Sequence, residues 1–380
     1  MLVTSYQAAL WVLRSPRLFA KDPRRWRALA EGEVPSDSPL VPMMGYRPNC
    51  LFADGAAHVR LRQAVTDSLD RIDPHSLRAL VSRNADRLIE RFETKGEVEL
   101  ISGYASALPL LVFNELFGLP DSHGDHLVLT MARLIEGGGR AKDSDAELGR
   151  YMVRLITAKR HRPGSDVTSW LMSHPAGLTD DEMIHQCTLL LSAGIAPLQN
   201  LIANGVRLLL SDDRFAAGLI GGRLPIDAAL DEILWLDPPM ANFGVHFPVQ
   251  DVDLAGILLR QGEPVVISYA AANTDPSVAK PGGTSGNRAH LAFSAGPHAC
   301  PAKDPSRLIA SVAIERLLDR VPDLEMAIDP DQLQWRLGPF QRALLTLPVS
   351  FTPVDVTRPS DMSGPWTAWP AHPWEQNWPL

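Results

Sequence analysis

Residues 293–300 read Phe-Ser-Ala-Gly-Pro-His-Ala-Cys, which sets an aromatic, a glycine, a histidine and a cysteine at the spacing F-x-x-G-x-H-x-C. The reactive member is Cys300, because a thiolate can ligate a metal and push electron density onto it. Gly296 permits a tight turn at positive φ and a close approach of the backbone to a neighbour. Taken alone, Cys300 reads as a buried free cysteine after a strand. A second polar set lies in Asp54-Gly55-Ala56-Ala57-His58-Val59-Arg60-Leu61-Arg62. His58 and Arg62 are four residues apart, so a helix would put both on one face; the alternative is a solvated basic turn. There is no H-E-x-x-H, no P-loop and no G-x-S-x-G. Glu136-Gly137-Gly138-Gly139-Arg140 interrupts a helical pattern with no strand before it, so it reads as a helix-to-helix turn and not as a phosphate cradle.

Helices must position these groups, since most long segments carry helical periodicity. Leu77 to Glu93 places Leu80, Val81, Ala85, Leu88 and Ile89 on one face. Ser144 to Lys159 is similar, with Ser144-Asp145-Ala146-Glu147 as a capping box. Thr179-Asp180-Asp181-Glu182 is a second capping box, opening a helix that runs to about Leu210, roughly 45 Å at 1.5 Å per residue. Such a helix is a central core helix, yet Pro197 falls inside it, where proline removes a hydrogen bond and costs about 3 kcal/mol. Short strands are expected in Gly262 to Tyr269 and Leu344 to Phe351, and Asp304-Pro305 should cap a helix from Ser306 to Arg320. The reading is mainly α with small β-sheets.

A chain of 380 residues with net charge −8 and pI near 5.8 is a poor partner for nucleic acid. Cys50, Cys187 and Cys300 form no C-x-x-C pair and cannot all pair, which suits a reducing cytoplasm. No apolar run was expected to span a membrane, and Met1-Leu2-Val3-Thr4-Ser5 lacks signal-peptide character. Residues 355–380 are Pro-rich with four tryptophans and no period, so they read as a tail beyond a body of residues 1–354, either disordered or docked.

The F-x-x-G-x-H-x-C loop resembles the haem-thiolate loop of the cytochrome P450 family, and other segments resemble bacterial, actinobacterial-type P450s in order up to about Pro353. The resemblance implies the P450 fold around haem b. Cys300 would be the axial iron ligand, Phe293 the proximal packing residue, and His298, His58 and Arg62 the propionate partners. His246 stands where the family often has a propionate-binding arginine. Ala193-Gly194 is similar to the central-helix Ala-Gly pair that makes room for O₂. The acid and threonine that normally follow are replaced by Ala196 and Pro197, leaving Gln199 or Asn200, water or substrate to supply protons. Glu232-Ile233-Leu234-Trp235 occupies the Glu-x-x-Arg position without its arginine, as in some actinobacterial P450s, and Arg288 is the candidate substitute. Pro301 would remove an amide from the cysteine sulfur and so lower the iron potential. Met1-Leu2-Val3-Thr4 resembles the family's W-L-V-T strand, so either the start codon is misplaced or the sheet lacks an edge. The implied activity is oxygen insertion into a small or medium apolar metabolite, with electrons from a ferredoxin and ferredoxin reductase docking near Lys303 and Arg307. The alternatives are a haem-containing binding module and a peroxide-using or non-oxygenating enzyme. Met43, Met44, Tyr46, Met240, Asn242 and Phe243, with Ala241 between, would line the substrate pocket together with Phe340.

Overall fold

The computed structural model describes residues 1–35, 38, 40–119, 141–212, 226–278 and 287–354. Its main helices are α1 (Tyr6–Arg14), α2 (Gly55–Leu69), α3 (Pro74–Ile89), α4 (Ala107–Phe117) and α5 (Ala141–His161). They continue as α6 (Val167–Met172), α7 (Asp180–Ser211), α8 (Ile226–Leu236), α9 (Tyr269–Asn273) and α10 (Lys303–Arg320). The apolar periodicity of α3 is realised: Leu80, Val81, Ala85, Leu88 and Ile89 are all buried. Asp73 caps that helix through the Ser76 amide, and Pro74 sits at its first position, where no donor is lost. Helix α10 lies against α3, tied by Arg78–Glu315 and Arg316–Asp86 ion pairs.

Helix α7 starts at the expected capping box: Thr179 accepts from the Glu182 amide, and Glu182 accepts from the Thr179 amide at 2.9 Å. It continues unbroken through Pro197 for 32 residues. By length and composition it could cross a bilayer, contrary to the expectation above, but most of that stretch is buried by neighbouring elements. Such burial marks a core helix.

The strands are short. β1 (Leu2–Val3), β7 (Val265–Ser268), β4 (Asn242–Pro248) and β2 (Phe19–Ala20) form one sheet in that order. β3 (Glu97–Glu99), β9 (Pro348–Ser350) and β8 (Glu325–Met326) form a second, and β5 (Val252–Leu254) pairs with β6 (Ile257–Leu259). In β4 the register shifts between Phe243 and His246, around Gly244 at φ +59°.

Some boundaries differ from expectation. Helix α5 begins at Ala141, so Ser144 is internal to it and not an N-cap. Helix α10 begins at Lys303, one turn before Ser306, so Asp304 sits in its first turn, where an acid favours the helix dipole. The strands in 262–269 and 344–351 shrink to β7 and β9. The glycine-rich 136–140 segment, most of the 281–288 segment and the 355–380 tail lie outside the described residues.

Candidate functional site

The loop after β7 and α9 brings Cys300 back over the start of α10. Its amide donates to Phe293 O at 2.9 Å, and the Ser294 amide donates to Leu291 O at 2.7 Å, closing the turn. Gly296 adopts φ +70°, and a Cβ there would stand 2.1 Å from the Leu13 carbonyl oxygen. The observed close approach at this glycine is therefore that of α1. Ser294 also takes a left-handed φ of +61°. The Phe293 ring lies 5.9 Å from that of His290 and packs on the main core. Burial raises the Cys300 thiol above its usual range, while the Ala302 backbone and the Arg62 charge act in the opposite direction.

Helix α2 presents His58 and Arg62 to this loop, as their spacing predicts. The rings of His58 and His298 lie 4.0 Å apart, and Arg62 Nη2 donates to Ala299 O at 2.5 Å. Two further side chains, one neutral and one basic, arrive from the first sheet and the residue after β2. His246 donates from Nδ1 to Gly244 O, and burial holds its pKa well below the usual value. Lys21, only 3 % exposed, donates from Nζ to Val245 O at 2.7 Å. Burial pulls it down to about 7, with Asp54 opposing. His298 is pushed down to about 2, first by burial and then by Lys21, His58, His246 and Arg62. Lys21 escaped the sequence reading; its only local signal is a lysine directly after the buried Phe19-Ala20 pair.

Asp54 is the carboxylate closest to this group, 3.9 Å from His298 Nε2, and it already accepts from the Lys21 and Asp22 amides. His58 Nε2 is buried without a hydrogen-bond partner. A cluster this rich in cationic and donor groups, with an orphaned nitrogen, fits the two carboxylates of haem beside a thiolate. The residues present suit the group.

Behind the loop, the buried carboxylate is Asp231, not Glu232. Arg307 of α10 pairs with Asp231 and reaches Asp227 O at 3.2 Å, while Arg288 Nε donates to Asp231 at 3.1 Å. Trp235 donates from Nε1 to Asn287 O at 2.7 Å. The arginine missing from position 235 is replaced by one from α10 and one from the 287–290 segment. Arg307 is therefore buried and engaged, which corrects its expected place on a docking face; Lys303 remains half-buried.

On α7, Ala193 is exposed, whereas Gly194 faces α4: a Cβ on it would stand 2.2 Å from the Phe113 ring. Only Ala193 of the pair lies open, and Gly194 serves helix packing. Pro197 leaves the Ala193 carbonyl without its i+4 donor. Asn200 donates to Gln341 Oε1 at 3.2 Å. Met44 and Phe340 share a buried cluster with Trp26, Val245 and Phe247, with Met240 and Phe243 packed against it. Met43 and Tyr46 stand outside that cluster and are exposed, Tyr46 under the Arg24 guanidinium at 4.1 Å. Asn242 spends its amide on Pro339 O at 2.8 Å.

A thiolate-bearing loop under a helix-rich body, beside buried cations awaiting carboxylates, defines a haem-thiolate protein. No family model matches the chain. It is 31% identical over 360 residues to cytochrome P450 107B1 of Saccharopolyspora erythraea, covering 92% of this chain and 88% of that one. It is 32% identical to the cytochrome P450 monooxygenase PikC of Streptomyces venezuelae, covering 92% and 84%. Its fold matches CYP154C4 from Streptomyces sp. W2061 with a TM-score of 0.85 at 28% identity, covering 92% and 88%. The chain belongs to the cytochrome P450 family, as a monooxygenase with haem b as cofactor.

Proposed function

We propose that this enzyme inserts oxygen into a small or medium apolar metabolite, using electrons from a ferredoxin and its reductase. The observation that carries the reading is the meeting of Cys300, His58, Arg62 and His298 at one place. Bound haem would supply dioxygen activation at its iron. Cys300 would hold that iron through its sulfur and donate electron density to it. His58, Arg62 and His298 would hold the propionates, with Nε2 of His246 left for the same use. Ala193 would leave room on the distal side, and the Met44, Met240, Phe243 and Phe340 cluster would exclude water and receive apolar surface. Relatives named as mycinamicin IV hydroxylase/epoxidase of Micromonospora griseorubida and vitamin D(3) 25-hydroxylase of Pseudonocardia autotrophica favour such substrates. An intracellular, cytoplasmic site of action suits that chemistry.

Ala196 and Pro197 favour a second reading, turnover with peroxide, because neither side chain can pass a proton. The test is the carbon-monoxide difference spectrum of the reduced, haem-loaded protein beside Cys300→Ala. A far red-shifted Soret band, absent in the variant, is expected; haem uptake without that band would overturn thiolate ligation. Substrate-dependent electron consumption with an oxygenated product then separates ferredoxin-driven turnover from peroxide-only turnover.

A further inference from the structure

We propose that Lys21 holds a haem propionate, taking over the charge that an arginine would carry at the position of His246. This rests on the haem-thiolate reading above. The pairs Phe19↔Pro248 and Ala20↔Phe247 place the next residue of the first strand level with His246. Neighbours across an antiparallel pair present their side chains to the same face. His246 has its Nδ1 proton committed to the Gly244 carbonyl and is buried. That environment disfavours an imidazolium, so the strand position itself lacks a permanent cation.

Lys21 has what His246 lacks. An ammonium carries three donors, and among the described residues Nζ spends one, on Val245 O. Its burial and its bond to the carbonyl that precedes His246 place it beside that residue and not on the outer surface. Asp54 does not satisfy it: that carboxylate accepts from the Lys21 and Asp22 amides. A buried ammonium without a carboxylate is costly, and the cost is removed when a carboxylate arrives. Burial that lowers Lys21 to about 7 in the haem-free chain agrees with a group held ready for an anion. Val245 O then serves as its holding partner.

The experiment measures haem transfer from the full-length, haem-loaded protein to an apo-globin acceptor, for wild type, Lys21→Met and Lys21→Arg. Each is loaded in parallel with protohaem and with its dimethyl ester, which lacks the carboxylates. With protohaem, Lys21→Met should release about tenfold faster or more, as expected for loss of a charge-assisted hydrogen bond, and Lys21→Arg should stay near wild type. With the ester, wild type and Lys21→Met should release at the same rate. Equal rates with protohaem would overturn the assignment, and so would a difference that persists with the ester, since that would mark structural support only. The carbon-monoxide band distinguishes the two levels. Its absence from wild type sinks the haem-thiolate reading itself, while its presence with matched release rates sinks only the role of Lys21.

Discussion

Two kinds of buried charge coexist in this molecule, and they differ in whether they close. Asp231 is surrounded by Arg307, Arg288 and His290; Asp237 pairs with Arg207 at 2.6 Å and with Arg342, both guanidiniums lying over Trp335. In these clusters a buried carboxylate meets guanidiniums supplied by the protein itself. Around Cys300, by contrast, Lys21, His58, Arg62, His246 and His298 gather with Asp54 as their near carboxylate. The closed clusters are scaffold: Asp231–Arg307 joins α8 to the first turns of α10, just after the cysteine. The open cluster is a site, because its donors, Lys21 and the orphaned His58 among them, keep hydrogen-bonding capacity for an anion from outside.

The comparison can be broken most directly at Arg307. Arg307→Met should cost about 3 kcal/mol by leaving the buried Asp231 with the exposed Arg288 as its remaining guanidinium partner. At roughly 1.3 °C per kcal/mol for a chain of this length, thermal unfolding should fall by about 4 °C. A drop of only a degree or two would mean the pair is not scaffold. His58→Leu should act with the opposite balance. Haem release should quicken about tenfold through loss of a propionate partner, while haem-free stability holds or rises because an orphaned nitrogen is removed. A fall in haem-free stability as large as that of Arg307→Met would erase the distinction.

A pH series sharpens it further. Lys21 titrates near 7 in the folded haem-free chain against 10.5 ordinarily. Between those values the unfolded chain binds a proton that the folded one does not. Haem-free stability should therefore fall as pH drops from about 10.5 to about 7, and this contribution should level off below. Lys21→Met lacks the penalty, so its advantage over wild type in thermal unfolding should grow over that window. A constant gap would mean that Lys21 stays charged. The smallest effect is expected at Ser294, whose left-handed backbone costs about 1 kcal/mol. Ser294→Gly should recover roughly that in stability without altering haem release.

The cysteine loop, the His58–Arg62 face and the capped central helix were legible because their signals are local. A rigid spacing, an i,i+4 pair and a capping box each need only a few neighbouring residues. The charge partners were not. Lys21 meets Val245 224 positions away and Arg307 meets Asp231 76 positions away. No periodicity announces such meetings, so Arg307 read as a surface cation. Gly194 likewise gave away its small size but not that Phe113 fills the space. The resemblance supplied the fold and cofactor; the relocated charges needed coordinates.

One contact carries a consequence for the order of events during synthesis. Helix α1 is made long before its partners: its Leu13 carbonyl faces Gly296, its Tyr6 hydroxyl donates to Ala289 O at 2.6 Å, and the Tyr6 amide donates to Asp275. The two Tyr6 partners lie 269 and 283 positions further along the chain. The cysteine loop also leans on α10, which follows it. Haem capture is thus a late and non-local event. Until then α1 must wait with its apolar face uncovered, a burden for the chaperones of any host asked to overproduce the enzyme.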